Sequence, residues 1–328
     1  MKAITDLTFP TAFKVEADDY ISYKRSLGFK FPTDDQRKLL YMLNFIYNHN
    51  NKDVCHLTKE VVDSFLEQSN KNKPRTLHAN QSFIRQYCLY LQLNGYDTYV
   101  FPDKLIQCPK DFIPYIFTKE EIYQIFDISD QIGPNKNKFI NTPYIYPAVF
   151  RLLYACGTRV GETLSLKNND VDLDLGTITL RNGKNNVSRV LPLSTSLTNY
   201  LIAYDHKVDR SDNNPFFFPA RNGESYSPTT IRNTFRKILK QAGIRPLANG
   251  NFPRVHDLRH TYAVHALEHS INLGMDPYCS LPALSTYMGH KGIESSEYYL
   301  RLTKHYFINV LNYTKEQADI IFPEVTSK

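Results

Sequence analysis

Between Tyr96 and Phe117 the hydrophobic periodicity of this chain fails, and Pro102, Pro109 and Pro114 interrupt it. Proline lacks a backbone N–H and drives the residue before it out of the helical region. No single helical body can run through such a stretch, so the chain must fold as two. Upstream, Leu39, Met42, Leu43 and Ile46 recur at helical spacing, as do Val61, Val62, Phe65 and Leu66 behind a Thr58 N-cap. A third stripe, Ile84, Tyr87, Cys88 and Leu91, ends before Gly95, which suits the position just past a helix. These stripes predict a helical domain over residues 1–103, with a linker over 104–117. Thr118 and Glu121 then form a capping box that restarts helical structure. At 328 residues the chain is long enough for two separate cores.

The second domain, expected over 118–305, reads as mixed. The spacing predicts a helix from Pro147 to Ala155, ahead of Gly157. TITL (177–180) and SRVLPL (188–193) have the composition of strands, and the RNGKNNV segment between them supplies hairpin-loop residues. Lys184 is therefore expected near the tip of a two-stranded ribbon. From Pro228 onward the pattern is helical again. The predicted fold class is mainly α with a small β-sheet: an N-terminal helical domain, then an α+β domain.

Composition excludes several classes. The five cysteines show no CxxC pair or metal-ligand spacing, which argues against a disulfide framework and for a cytoplasmic protein. No stretch approaches the roughly 18 apolar residues of a membrane span, and the N-terminus has no signal-like apolar core. The net charge of +6 favours a polyanionic partner. Lys71, Lys73 and Arg75 in KNKPR, with Arg85 further along the third stripe, are candidate DNA contacts; a solvated helix face is the alternative.

Chemistry is concentrated in HDLRH (256–260). Histidines at i and i+4 share a helix face, which suggests zinc. A zinc hydrolase of this spacing needs a glutamate beside the first histidine; Asp257, Leu258 and Arg259 stand there instead, and a guanidinium repels a cation. An anionic substrate, above all a phosphate, suits imidazole and guanidinium together. Four other stretches stand out: CGTRVGETLSL around Arg159, NGKNNVSRVLPL around Lys184, YMGH ending at His290, and SSEYYL containing Tyr299. Singly, each has a structural alternative. Arg159 could form a helical ion pair with Glu162, Lys184 could be inert surface, His290 could end a helix, and Tyr298 and Tyr299 could simply pack.

Together these stretches resemble the tyrosine recombinase family of phage integrases and Xer-type recombinases. Its GxRxxE motif is met by Gly157, Arg159 and Glu162, and its HxLRH box by His256, Leu258, Arg259 and His260. Its hairpin motif is met by Gly183, Lys184, Arg189 and Pro192; its LGH box appears as Met288-Gly289-His290, with the nucleophile expected nine residues on, at Tyr299. Two departures are visible: MDPYC (275–279) lengthens the span between the boxes, and Tyr298 beside Tyr299 makes the nucleophile a matter of register.

The resemblance implies a site-specific DNA recombinase that cuts and rejoins strands through a 3′-phosphotyrosine intermediate, without cofactor, metal or ATP. The implied catalytic residues are Arg159, Lys184, His256, Arg259, His290 and Tyr299. Tyr299 is the expected nucleophile, the arginines a phosphate clamp, Lys184 the general acid and His256 a base-like helper, while His260 is expected to hold its own helix or to support the site from behind. Implied partners are double-stranded DNA recombination sites, further copies of the chain in a homo-tetramer, and accessory DNA-bending or directionality factors. Residues 306–328 are expected to dock protomers. Recombination for a mobile element is the leading role, with Xer-like dimer resolution as the alternative. From other classes, an inactive DNA-binding protein and a type IB topoisomerase remain as competing expectations.

Overall fold

The computed structural model describes residues 7–69, 74–102, 113–133, 141–181, 188–208, 214–290, 292, 294–300 and 302–303. The chain divides into two compact units, Met1–Phe112 and Ile113–Lys328.

In the first unit a 3-10 turn (Thr11–Phe13) leads into α1 (Lys14–Ser26), followed by α2 (Thr33–His49), α3 (Lys59–Ser69) and α4 (Pro74–Leu93). The residues of the three predicted stripes supply much of the core, and Leu39, Met42, Leu43, Ile46, Ile84 and Cys88 are fully enclosed. Each such side chain stabilises the fold by roughly 1.5–3 kcal/mol relative to exposure. Helix α1 had no clear stripe because it buries only Ala17, Tyr20, Ile21 and Lys24. Tyr20 compensates by meeting Tyr87 and Tyr90 edge-on, each at 5.1 Å between ring centroids. The Lys24 ammonium is accommodated by Gln86 Oε1 at 2.9 Å and the ring of Phe29 at 4.1 Å.

The aperiodic stretch after α4 begins as part of this unit. Tyr99 N donates to Leu57 O at 2.7 Å, Leu57 N donates to Thr98 Oγ1 at 3.1 Å, and Phe101 is buried. At the other end of the stretch, Phe117 is fully buried in the second unit, and its N–H donates to Thr261 Oγ1 at 3.1 Å. Residues 103–112 lie outside the described residues.

The second unit opens with α5 (Lys119–Asp130). Its capping box forms as predicted: Glu121 N donates to Thr118 Oγ1 at 3.2 Å and Thr118 N to Glu121 Oε2 at 2.9 Å. Helix α6 (Thr142–Ala155) starts before Pro147 rather than at it. The proline forfeits one intrahelical bond, and the dense burial of Ile145, Ala148, Val149 and Leu152 around it outweighs that loss. Then come α7 (Val160–Leu164), β1 (Val171–Asp172), β2 (Thr177–Leu180), β3 (Arg189–Pro192), α8 (Thr195–Lys207), α9 (Pro228–Gln241), α10 (Val255–Asn272), α11 (Pro277–Met288) and α12 (Glu294–Leu300).

The expected ribbon is a three-stranded antiparallel sheet, in the order β1-β2-β3. Strand β1 has only two residues, too short to leave a sequence pattern. Between β2 and β3 the register pairs Ile178 with Leu191 and Leu180 with Arg189. Leu191 faces inward and Val190 outward, so strand alternation turns Arg189 to the same side as the core residues. Lys184, at the expected hairpin tip, lies outside the described residues.

Helix α10 organises the unit. Val255 and Leu258 enter the main core with Phe150, Phe235 and Ile238. Ala263, Val264 and Leu267 enter a second cluster with Leu281, Met288 and Tyr299. No described helix is long and apolar enough to cross a membrane.

Candidate active site

The start of α10 explains each letter of HDLRH. Asp257 is buried and caps the helix, accepting from Arg254 N at 2.7 Å through Oδ2. Leu258 is a core residue. His256, Arg259 and His260 stand at i, i+3 and i+4 and therefore share one face. Asp257 serves the helix and Arg259 the site, so the residues that interrupt a zinc motif have their own structural uses.

The C-terminus of α11 gathers three guanidiniums. The last carbonyls of a helix have no intrahelical donor and carry its negative dipole end. Here Tyr287 O accepts from Arg189 Nε at 2.9 Å, Met288 O from Arg259 Nη2 at 2.7 Å, and Gly289 O from Arg159 Nη2 at 3.3 Å. Gly289 ends the helix in the left-handed conformation at φ +65°, which lets His290 N turn back to Ser285 O at 3.0 Å. The MDPYC segment starts this same helix: Asp276 caps it through Tyr278 N at 2.8 Å, and Pro277 takes the first helical position.

Arg259 is almost completely buried, and its Nη1 donates to Gly157 O at 2.5 Å. Gly157 must be glycine: its φ is +56°, and a Cβ there would lie 2.3 Å from the ring of Tyr262. Burial and the neighbouring Arg159 lower the Arg259 pKa to about 10, so it remains charged near neutrality.

Glu162 ties Arg159 to the sheet. Its Oε1 accepts from Arg159 Nη1 at 2.7 Å, and its Oε2 from Arg189 Nη2 at 2.9 Å. Burial alone would raise the Glu162 pKa; hydrogen bonds from Arg189 and Arg159 reverse that and bring it down to about 2. The ion pair expected as the structural alternative for Arg159 therefore exists, and it also orients the guanidinium toward Gly289. Glu162 pairs with Arg159 and Arg189 but not with Arg259, so the site keeps an excess of positive charge suited to an anion.

The histidines are held close and neutral. His290 Nε2 lies 3.0 Å from Arg259 Nη2, and its Nδ1 lies 2.8 Å from Ser296 Oγ. A guanidinium only donates, so Nε2 accepts and Nδ1 carries the proton. Burial, then Arg259 and Arg159, lower the His290 pKa to about 4. His290 must therefore take up a proton or shift tautomer before it can donate to an anion through Nε2. His256 stands exposed, its ring edge-on to His260 at 4.8 Å. Crowding by the surrounding protein, then His260 and Arg259, also shift it below its usual value.

Tyr299 is buried, stacked near His290 with ring centroids 6.1 Å apart. Its hydroxyl lies 2.9 Å from His260 Nδ1. Burial raises the phenol pKa, while Arg259 and Arg159 pull it back. Tyr298 is half-buried, with its ring 6.2 Å from that of Tyr299.

Five of the six expected catalytic residues thus fall on α7, α10, α11 and α12 or at their ends; the sixth, Lys184, lies outside the described residues. Sequence reasoning missed that His260 touches Tyr299 and that Arg189 joins the arginine cluster. The i, i+4 spacing of HDLRH held the first signal, and the in-phase alternation of Arg189 with Leu191 the second. Of the candidate DNA contacts, Lys71 and Lys73 lie outside the described residues. Arg75 is exposed in the first turn of α4, and Arg85 Nε donates to Phe101 O at 3.3 Å within its own unit. No cluster of three metal-ligating side chains occurs among the described residues.

A mainly helical catalytic unit with a small antiparallel sheet, converging arginines and a buried tyrosine define the class of site-specific tyrosine recombinases. The chain belongs to the phage integrase family, whose model matches residues 116–305. It is 28% identical over 295 residues to a putative integrase/recombinase, y4rB, of Sinorhizobium fredii, covering 88% of this chain and 93% of the relative. It is also 28% identical over 256 residues to the tyrosine recombinase XerA of Thermococcus onnurineus, covering 77% of each. Among solved structures, the XerH site-specific recombinase bound to a palindromic difH substrate matches with TM-score 0.60 at 17% identity, over 87% of this chain and 79% of that one. The Tn1549 transposon integrase in complex with a circular intermediate DNA matches with TM-score 0.59 at 14% identity, over 86% and 94%.

Proposed function

We propose that this recombinase cuts one strand of duplex DNA at a specific site by attack of the Tyr299 oxygen on the scissile phosphorus. The product is a 3′-phosphotyrosine and a free 5′ hydroxyl. The observation that carries the reading is the convergence of Arg159, Arg259, His290 and Tyr299 on one positively charged centre. Negative charge gathers on the non-bridging oxygens in the transition state, and the two guanidiniums are suited to receive it. His290 adds a donor once it shifts tautomer or is protonated. His256, at the open edge, assists proton movement, and Lys184 supplies the proton that the departing 5′ oxygen needs. The covalent link conserves the energy of the phosphodiester, so a 5′ hydroxyl from another strand reverses the step and joins new partners. The arginines take the charge-neutralising place that metal ions hold in other phosphoryl-transfer enzymes.

The substrate is double-stranded DNA, with Lys71, Lys73, Arg75 and Arg85 of the helical unit on its backbone and protomers assembling as a tetramer on paired sites. Accessory DNA-bending or directionality factors remain candidate partners. Service to a mobile element is favoured by the near full-length match to an integrase/recombinase and by the fold shared with a transposon integrase. Xer-type dimer resolution is the second reading, favoured by the match to XerA. Recombination by the purified protein of the joined ends of an element flanking its gene, rather than of a chromosomal site, would separate the two.

The mechanistic reading is tested with a nicked suicide substrate carrying the cognate site. Wild type and Tyr298→Phe should form a covalent protein–DNA adduct in the presence of EDTA, and Tyr299→Phe should bind the DNA and form none. An adduct with Tyr299→Phe, or dependence on added metal, would refute it.

A further inference from the structure

Two histidines stand within reach of the chemistry on one face of α10, and they meet the nucleophile differently. His260 Nδ1 is 2.9 Å from the Tyr299 hydroxyl. His256 meets His260, ring edge to ring face at 4.8 Å, and stands at the exposed end of the row. The order inward from solvent is therefore His256, His260, Tyr299. The placement follows from the fold: α10 and α12 pack through Val264, Leu267, Tyr299 and Leu300, which fixes the phenol against the helix turn that carries His260.

We propose that His260 is the immediate proton acceptor for Tyr299, with His256 one helix turn further out against its ring. The inference rests on the reading of Tyr299 as the nucleophile. In the cleavage step the Tyr299 O–H bond breaks and its proton passes to His260 Nδ1, leaving an imidazolium. The phenolic oxygen forms a bond to phosphorus while the bond from phosphorus to the 5′ oxygen breaks, and that oxygen takes the proton of the general acid. In rejoining, the same imidazolium returns its proton to the departing phenolate.

Burial and the positive charges of Arg254 and Arg259 hold the His260 pKa at about 4 before substrate arrives. His260 is thus neutral and able to accept, yet too weak a base to ionise a buried phenol. The hydrogen bond keeps the nucleophile aimed and idle. A phosphate entering the cleft brings negative charge close to His260, which stabilises its imidazolium and makes the transfer feasible. Activation of the nucleophile is in this way tied to occupation of the cleft by DNA.

The test compares single-turnover adduct formation by wild type, His260→Asn, His260→Gln and His256→Ala on the suicide substrate, with DNA binding and thermal melting as controls for folding. An amide can accept the phenol's hydrogen bond but cannot take its proton. The better folded of the two amide variants should slow adduct formation by about 10²–10⁴-fold, and His256→Ala by less. Site-specific 3-fluorotyrosine at position 299 lowers the phenol pKa and so eases deprotonation. It should recover much of the rate in the His260 variant and little in wild type. Equal fluorotyrosine effects in both backgrounds, or an amide variant as fast as wild type while wild type forms adduct normally, would overturn the acceptor role alone. No adduct with wild type would overturn the nucleophile assignment as well.

Discussion

Gly289 lies flat against the guanidinium of Arg189: a Cβ at residue 289 would come within 2.9 Å of Arg189 Nη1. The contact couples the end of α11, next to His290, to the first residue of β3. Arg189 is also bound to Glu162 and to Tyr287 O, so it cannot retreat without breaking both bonds.

Gly289→Ala should therefore fail on two counts. The left-handed φ of +65° costs an alanine roughly 1–2 kcal/mol, and the methyl displaces Arg189. The melting temperature should fall by several degrees, and adduct formation should fall further than the stability loss explains, because Arg159 and His290 both depend on this turn. An alanine variant that melts and cleaves like wild type would show that the contact positions nothing.

Much of this site was legible in the sequence, and the reason is local. HDLRH occupies one helix face, MGH contains its own helix stop, and Thr118 with Glu121 announces a helix start; each is decided within a few residues. The parts that were not legible depend on distant contacts. Arg189 reads as a hairpin-motif position with no partner until the β2–β3 register points it at Glu162. His260 reads as support for its own helix until α12 brings Tyr299 against it. Helix α1 escaped notice because its core side mixes Ala17, Tyr20 and Ile21 with the stem of Lys24, and β1 because two residues carry no alternation.

The buried site also predicts how stability depends on pH. His260 and His290 have folded pKa values of about 4, displaced by burial first and by nearby arginines second, against about 6.5 when unfolded. Between those values the unfolded chain binds more protons, so the stability is full above about pH 6.5 and declines as pH falls toward 4. Glu162 acts in the same direction over a lower window. Its pKa of about 2 lies below its ordinary 4.5, so its contribution is full above about 4.5 and is lost as pH falls toward 2. Thermal melts should show decline in both windows. His260→Gln with His290→Gln should weaken the decline in the upper window, leaving the part due to His256, and spare the lower; a wild-type melting temperature unchanged from pH 7 to 4 would contradict the assignment.

The last prediction concerns how protomers are joined. In the proposed reaction one tyrosine would cut one strand and exchange between two duplexes would need four cuts, which calls for assembled protomers. The sequence near the end of the chain carries Ala318, Ile320, Ile321 and Phe322, an apolar group too short to make its own core. The second unit carries a matching surface, an apolar groove of about 560 Å³ between α10 and α11, lined by Tyr262, Ala266, Leu267, Cys279, Ala283 and Leu284. Docking of the tail of one copy into the groove of the next is a head-to-tail contact, and such contacts close into rings. It would also load α11, whose end holds the three arginines, so assembly would bear on the geometry of the cleft. Deletion of residues 315–328 should leave binding to a single half-site unchanged while weakening synapsis and recombination. Ala283→Glu, which puts a charge into the groove, should do the same from the receiving side. A mixture of the two variants can form single junctions but never a closed ring, so mixing them should not restore activity. Normal recombination by the truncated protein would rule the docking out.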